Sequence, residues 1–452
     1  MKFTNTLTKG LETFSPLTDT VRVYACGPTV YGPAHLGNLR SAVMFDMIAR
    51  QLRGQFKNVI FVRNLTDVDD KITKAAVSNF PGINVNEAIA KVTAPAIELW
   101  HKDTAALGVQ NVDVEPRATD YITDMIEMIQ VLIQKNHAYA KDGHVFFHVP
   151  SFSQRGVLSG RTDLVDEEEH AAHSRVVHDL KRHPADFVLW KPSDEHQPSW
   201  NSLWGSGRPG WHIECSAMSA SILGKTFDIH MGGSDLIFPH HENEIAQSTS
   251  AFDLNTPQAH TWLHTGMLLV NGQKMSKSLG NFVTMKTLEH LPGAAVRLAF
   301  LQSHYRSTLD WTPQLISHAL KLWSQIQTFQ NQDRSVDVPD EFKKHLDNDL
   351  NTAGAMAVLN KGLDEKWDSV GAMAEAFGLW DAAPEGVVSA DVSTQISALL
   401  EERRQAREAK DYAASDKVRD TLQAAGVAIK DSPEGTTWSL LAEFKPSFLS
   451  AV

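Results

Sequence analysis

Residues 22–40, Arg-Val-Tyr-Ala-Cys-Gly-Pro-Thr-Val-Tyr-Gly-Pro-Ala-His-Leu-Gly-Asn-Leu-Arg, constrain the fold more than any other stretch of the chain. Val21, Val23 and Ala25 alternate around Tyr24, which predicts a short strand. Gly27-Pro28 and Gly32-Pro33 punctuate a loop after Cys26. Leu39, Val43, Ile48 and Leu52, with Met44 and Phe45, then repeat at the spacing of an amphipathic helix. Strand, tight loop and helix start make an anion-binding corner, because free backbone N–H groups and the positive end of the helix dipole meet there. Cys26 at the strand end points to a metal or a nucleophile, and His35 at the helix start to a phosphate.

A second strand is expected at residues 58–63, ending in the polar tip Asn64-Leu65-Thr66-Asp67-Val68-Asp69-Asp70-Lys71. Strand, helix, strand in this order opens an α/β, doubly wound parallel sheet whose ligands gather at strand C-termini. The acidic tip reads as a helix N-cap with solvated carboxylates rather than a magnesium site. Ile122, Met125, Ile126, Ile129 and Ile133 form the core face of a further helix, and residues 144–149 a strand. The polar stretch 150–186, with scattered His170, His173, His178 and His183 and no cysteine among them, reads as surface in an insertion between the halves of the sheet. A strand over residues 226–230 and a helix opened by Pro239 follow. Met267 to Val270 is a short strand with Asn271-Gly272 as its turn. Lys274-Met275-Ser276-Lys277-Ser278-Leu279-Gly280-Asn281 reads as a polar loop, and helical patterns run from about Ala294 to the end.

The chain's 452 residues allow several domains with sizeable cores. With 42% apolar and 21% charged residues it reads as soluble and globular. No apolar run approaches membrane-spanning length, and Met-Lys-Phe-Thr-Asn-Thr-Leu has no signal-peptide core, so a cytoplasmic location is expected. A net charge of −12, from 42 basic and 54 acidic residues, argues against nonspecific coating of nucleic acid but leaves room for a local basic face. Two cysteines, Cys26 and Cys215, cannot make a disulfide scaffold in a chain this long.

Both cysteines fall beside motifs, which points to a metal. His240 and Glu244 are spaced i, i+4 and share a helix face; His241 with Glu244, at i, i+3, is the rival pair. Two thiols, an imidazole and a carboxylate compose a tetrahedral zinc site. His35 and Asn38 stand at the mouth of the first helix, and Lys274 and Lys277 flank Met-Ser on the distant loop. Cations on a closing loop stabilise charge developing at a transferring phosphorus centre.

These motifs resemble the class I aminoacyl-tRNA synthetases. His35-Leu36-Gly37-Asn38 is similar to the first signature, usually written HIGH, and Lys274-Met275-Ser276-Lys277-Ser278 matches the second, KMSKS, letter for letter. Closer still is the resemblance to the cysteinyl-tRNA synthetase family. It rests on Cys26-Gly27-Pro28-Thr29-Val30-Tyr31, Arg63 to Lys71, Gly210-Trp211-His212-Ile213-Glu214-Cys215-Ser216 and Phe238-Pro239-His240-His241-Glu242-Asn243-Glu244, and runs from about residue 5 to about residue 440. Asn38 departs from the signature's last histidine; it can donate a hydrogen bond but carries no charge.

The resemblance implies one zinc per chain on Cys26, Cys215, His240 and Glu244, with the substrate cysteine bound to it through sulfur, and no need for an editing domain. It implies ATP contacts at His35, Gly37, Asn38, Asp235, Lys274 and Lys277, with His35 and Lys277 catalytic, Mg²⁺ accompanying ATP, and Thr66 and Trp211 lining the amino-acid pocket. The implied reaction forms cysteinyl-adenylate from L-cysteine and ATP and passes the acyl group to tRNA(Cys). The expected organisation is a Rossmann-type catalytic half at 1–115, a connective insertion at 116–200, the second catalytic half with zinc site and KMSKS loop at 201–290, a helical stem-contact region at 291–335, a helical bundle at 336–390 and an anticodon-binding region at 391–452. In that last region Arg403, Arg404, Arg407, Lys410, Lys417 and Arg419 interleave with acids, and Trp438 is expected to stack on anticodon bases. A monomer is expected. An adenylating cysteine ligase with a small amino-sugar acceptor is the nearest rival; the long C-terminal part argues against it. The Lys274–Ser278 loop argues against a nucleotidyltransferase and against a non-enzymatic zinc protein.

Overall fold

A computed structural model of the chain describes residues 1–161, 175–276, 279–383, 390–432, 435–441, 444–445 and 448–449. His170, His173, Lys277 and Ser278 lie outside them. A hairpin of β1 (Lys2–Asn5) and β2 (Gly10–Thr13) precedes β3 (Thr20–Ala25), α1 (Leu36–Gln55) and β4 (Asn58–Arg63). Then come α2 (Asp70–Asn79), α3 (Val85–Ala106) and α4 (Ile122–Gln134). The insertion sheet follows with β5 (Ala138–Lys141) and β6 (His144–Phe147), and after α5 (Arg175–Leu180) with β7 (Phe187–Pro192) and β8 (Gly207–Pro209). α6 (Trp211–Leu223), β9 (Phe227–Gly233), α7 (Glu242–Phe252) and β10 (Ala259–Thr265) complete the central layers.

The central sheet runs β10–β9–β3–β4, every pair parallel, and Val114 adds an isolated parallel bridge to Val62 outside β4. β3, the first strand of this sheet in sequence, is thus central and its neighbours come from both halves of the chain, which is the doubly wound arrangement. Alternation along the strands assigns the faces. Val23, Ala25, Phe61, Ile229, Met231 and Leu263 pack with α1 and α3, whereas Tyr24, Val62 and Trp262 pack with α4, α6 and α7. Helices cover both faces, so strand residues on either side are apolar.

α1 is buried almost all round and carries charge into the core. Arg40, 1% exposed, donates to the carbonyls of Gly266, Met267, His304 and Ser307 and to Ser303 Oγ. This fixes the helix against the end of β10, and burial draws the Arg40 pKa down to about 10. One turn and a half further, Asp46 accepts from Arg50 Nε at 2.8 Å, from the Gln110 amide at 2.9 Å and from Arg297. Burial works against the Asp46 carboxylate, but the Arg297 and Arg50 charges outweigh it and hold its pKa below the ordinary value.

The insertion is tied to the core beside α7. Both oxygens of the buried Glu242 carboxylate accept from backbone amides of Gly156, Leu158 and Ser159, and Arg155 donates to Asn243 Oδ1 at 2.5 Å. The acidic tip is a cap, as its composition predicts: Asp69 accepts from the Lys71 amide at the start of α2. Its carboxylates are not left to solvent as expected: Asp67 is buried against Thr119, and Asp70 pairs with Lys191 and Arg208.

β11 (Leu268–Val270) and β12 (Gln273–Lys274) form the hairpin expected at Asn271-Gly272, both turn residues having positive φ, and β13 (Leu309–Trp311) pairs parallel to β11. Helices α8 (Gly293–Leu301), α9 (Pro313–Gln327), α10 (Asp340–Asp347), α11 (Thr352–Glu365), α12 (Val370–Ala376), α13 (Ala390–Glu408) and α14 (Tyr412–Ala424) follow. The chain does not stay helical to its end. β14 (Val427–Ser432) pairs antiparallel with β15 (Gly435–Leu440), with Val427 and Ile429 set opposite Leu440 and Trp438.

Replacing Asp46 by Ala strands the fully buried Arg297 without its carboxylate. The expected loss is about 3–5 kcal/mol, read as a lower urea midpoint; an unchanged midpoint would contradict this role.

Candidate active site and metal centre

β3 and β9 lie side by side, and β9 runs on to Gly233 past the pairing of Ala25 with Met231. The Cys26 amide donates to Met231 O at 2.9 Å, extending the ladder by one residue and placing the Cys26 thiol over the end of β9. The glycine that follows is obligatory: a Cβ on Gly27 would sit 1.7 Å from Asn64 O, and the Gly27 amide donates to Asn64 Oδ1 at 2.9 Å. Asn64 is buried and its amide nitrogen donates to Thr66 Oγ1 at 3.3 Å. The Pro28 carbonyl accepts from the Thr66 amide and the Val30 amide donates to Thr66 O. Thr66 therefore pins the loop after β3, and it is not among the residues that line the adjoining cavity.

α6 and α7 bring the remaining donors. Residues 237–241 form a wide turn with Phe238 extended, so α7 begins at Glu242 rather than at the expected Pro239. Cys26 and Cys215 sulfurs are 3.6 Å apart, and Cys26 Sγ is 3.7 Å from Glu244 Oε1. His240 Nε2 stands 3.1 Å from Glu244 Oε1 and His241 Nε2 3.9 Å from it. Among the described residues two donor sets place their ligand atoms within 4.8 Å of one another: Cys26, Cys215, His240 and Glu244, and Cys26, His230, His241 and Glu244. Two thiols, one imidazole and one carboxylate fit a four-coordinate, borderline-soft divalent ion such as zinc.

A shell of histidines orients these donors. His230 Nε2 bonds Glu244 Oε2 at 2.9 Å, with its other nitrogen 3.3 Å from Tyr24 O. His241 Nδ1 lies 2.8 Å from His264 Nε2, and His264 Nδ1 2.9 Å from Thr6 Oγ1. His212 Nδ1 is 3.1 Å from His240 Nδ1, and Trp211 stacks on the His240 ring at 4.3 Å. Burial opposes charge on Glu244, but the charges and hydrogen bonds of His230 and His240 prevail and hold its carboxyl well below the usual range. Burial likewise opposes charge on His240, yet Glu244 and Cys215 raise it to about 10. The hydrogen bond from Cys26 draws Cys215 down to about 6, while burial pushes Cys26 well up. Burial leaves His241 well below its ordinary pKa and His264 at about 3.

A cavity of about 370 Å³ joins this cluster to the start of α1. Cys26 and Trp211 line it together with His35, Gly37, Asn38, Asp235 and Lys274. His35 is the N-cap of α1, its Nδ1 accepting from the Asn38 amide at 3.2 Å. Burial lowers its pKa against the opposing charge of Asp235, so the ring is neutral at pH 7. A Cβ on Gly37 would stand 2.9 Å from the ring's Cε1, so glycine there lets the imidazole lie on the helix start. Of the residues singled out in the sequence, Cys26, His35, Gly37, Asn38, Trp211, Asp235 and Lys274 share the cavity, and Cys215, His240 and Glu244 back it. Asn64, His230 and His264 carry no spacing signal; only the tertiary contacts place them here.

The arginines of the C-terminal region are ion-paired, as their interleaving with acids allows. Arg403 is held by both oxygens of Asp431, Arg404 by Glu401 and Glu408, Arg407 by Asp431, and Arg419 by Asp416 and Asp420. Trp438 is half-buried against the cluster of Ile396, Val418 and Leu422.

Residues 13–321 match the family of class I (C) tRNA synthetase catalytic domains, and residues 389–438 match the cysteinyl-tRNA ligase anticodon binding domain. The chain belongs to the cysteinyl-tRNA synthetase family. It is 46% identical to the cysteine–tRNA ligase of Afipia carboxidovorans, covering 97% of this chain and 99% of that one. The cysteine–tRNA ligase of Rhodospirillum rubrum is also 46% identical, over 96% of this chain and 98% of its own. Two solved structures share the fold. Methionyl-tRNA synthetase of Mycobacterium tuberculosis with methionyl-adenylate gives a TM-score of 0.52 at 17% identity, over 90% of this chain and 88% of that one. A LeuRS–tRNA–LeuAMS complex from Agrobacterium radiobacter gives 0.57 at 12%, over 82% and 85%.

Asn64→Ala removes the acceptor of a buried Gly27 amide. Stability should fall by roughly 1–3 kcal/mol and metal content with it, measured by urea unfolding and elemental analysis. Wild-type values in both would contradict the pinning role.

Proposed function

We propose that the chain is a class I cysteine–tRNA ligase. It joins L-cysteine to ATP as cysteinyl-adenylate with release of pyrophosphate, then passes the cysteinyl group to a terminal ribose hydroxyl of tRNA(Cys). One observation carries this reading: a single cavity opens on Cys26 of the metal cluster and on His35, Asn38, Asp235 and Lys274 of the phosphate corner. The match of residues 389–438 to an anticodon-binding domain speaks for a tRNA acceptor over a small amino-sugar. No helix among the described residues is long and apolar enough to cross a membrane, in keeping with work in the cytoplasm; we take the protein to act as a monomer.

Cys26, Cys215, His240 and Glu244 would hold one zinc, whose preference for a soft sulfur ligand favours cysteine over the hard hydroxyl of serine. The stacked Trp211 closes the amino-acid end of the cavity. Thr66 contributes by holding the loop that carries Cys26. At the other end, the α1 N-terminus and the cap residue His35 face the triphosphate, where helix dipole and N–H donors favour an anion. The neutral His35 ring donates through Nε2, since Nδ1 is occupied by the Asn38 amide. Lys274 and Lys277 offset negative charge as the carboxylate attacks the α-phosphate, and Mg²⁺ would accompany ATP. Asn38 donates to ATP, Gly37 leaves room for the His35 ring, and Asp235 accepts from the ribose.

Transfer of labelled cysteine to total tRNA in the presence of ATP and Mg²⁺ tests the proposal. Cysteine should be charged and serine not; absence of charging by folded, zinc-loaded protein would refute the tRNA reading. Lys274→Ala should lower kcat by roughly 10²-fold, and wild-type kcat would remove the residue from the transition state. Zinc content distinguishes the two donor sets. His240→Ala should purify depleted of zinc and His241→Ala close to one zinc per chain; the opposite pattern would move the ion to His230 and His241.

A further inference from the structure

The segment Asn281–Thr284 touches both sides of the phosphate corner, and the reaction as derived above gives it no part. At its first residue, Asn281 Oδ1 accepts from the Ser276 amide at 2.8 Å while Nδ2 donates to Lys274 O at 3.2 Å. One side chain thus spends both its acceptor and its donor on the backbone beside Lys274. At the next residue, the Phe282 ring stands perpendicular to the His35 imidazole, at 87° with centres 5.7 Å apart, and both line the cavity. Val283 O then accepts from the Leu36 amide at 3.0 Å, and Thr284 forms an antiparallel bridge with His35. The far end of the segment is anchored. Thr284 opens the single helical turn Met285–Leu288, its amide donates to Thr287 Oγ1 at 3.1 Å, and Met285 and Leu288 are buried in the main core.

His35 comes from the loop after β3 and Lys274 from the β11–β12 hairpin, so no local structure fixes one against the other. Stabilising charge at a reacting phosphorus needs its donors held in place beforehand, and a misplacement of about 1 Å can cost on the order of 10²-fold in rate. Four consecutive residues supply that link, with Asn281 on the Lys274 side and Phe282 on the His35 side. An aromatic pair prefers a perpendicular arrangement, which a merely apolar neighbour would not impose. Phe282 therefore restrains a ring whose Nδ1 already accepts from the Asn38 amide.

We propose that Asn281 and Phe282 are positioning residues for adenylate formation, Asn281 acting through Lys274 and Phe282 through His35. The inference rests on the adenylating role given to this cavity under the proposed function.

Cysteine-dependent exchange of labelled pyrophosphate into ATP by the zinc-loaded full chain is the test. Asn281→Ala and Phe282→Ala should each lower kcat roughly tenfold, with the KM for cysteine, the urea midpoint and the zinc content unchanged. Phe282→Tyr, which keeps the ring, should stay near wild type, and Phe282→Leu, which keeps only the apolar bulk, should not. Double variants separate positioning from general damage: Phe282→Ala should cost less than about twofold when added to His35→Ala, and Asn281→Ala less than about twofold when added to Lys274→Ala. Wild-type kcat in either single alanine variant, or losses that multiply in full in those backgrounds, would overturn the proposal and leave the ligase reading standing. Absence of exchange by the wild-type protein would overturn both.

Discussion

The parallel pairing of β3 with β9 is the contact on which the site depends. Val23, Tyr24 and Ala25 stand opposite Ile229, His230 and Met231, and the Cys26 amide closes the ladder on Met231 O. These residues are far apart in the chain, so the bond network that joins them must close a long loop, and the whole insertion is accommodated within that loop. Once it is closed, the chain leaves β3 toward α1 and leaves β9 toward α7, on opposite faces of the sheet. The crevice between the diverging loops receives the Cys26 thiol from one side and His240 and Glu244 from the other.

Such convergence concentrates buried charge, and the surrounding residues answer it. Glu244 is fully enclosed, yet each of its oxygens meets an imidazole, His240 at Oε1 and His230 at Oε2. Those rings are held in turn by His212, Trp211 and the Tyr24 carbonyl. A carboxylate buried in this way persists only with such partners. The same rule governs α1, where Asp46 answers Arg297 and five oxygen acceptors answer Arg40. The helix that presents the phosphate corner is therefore anchored along its length by charge rather than by apolar contact alone.

Local signals in the sequence were sufficient for the elements that frame the site. β4 and the start of α1 follow from alternation and periodicity, and the hairpin at Asn271-Gly272 from turn chemistry. The metal donors were legible as residue types, but spacing alone could not choose between His240 and His241, since both rings come near Glu244. His230 and Asn64 were invisible because each matters through a partner distant in sequence. The pairing of Arg403 with Asp431 and the packing of Trp438 escaped for the same reason. The β14–β15 hairpin was missed because its alternation is short and diluted by polar residues.

The central claim is that the Cys26, Cys215, His240 and Glu244 cluster reads the sulfur of the substrate. Zinc K-edge absorption of the metal-loaded protein, recorded alone, with L-cysteine and with L-serine, tests it most directly. The account predicts two sulfur neighbours at zinc in the protein alone, three with cysteine, and two with serine. A sulfur count unchanged by saturating cysteine would contradict it.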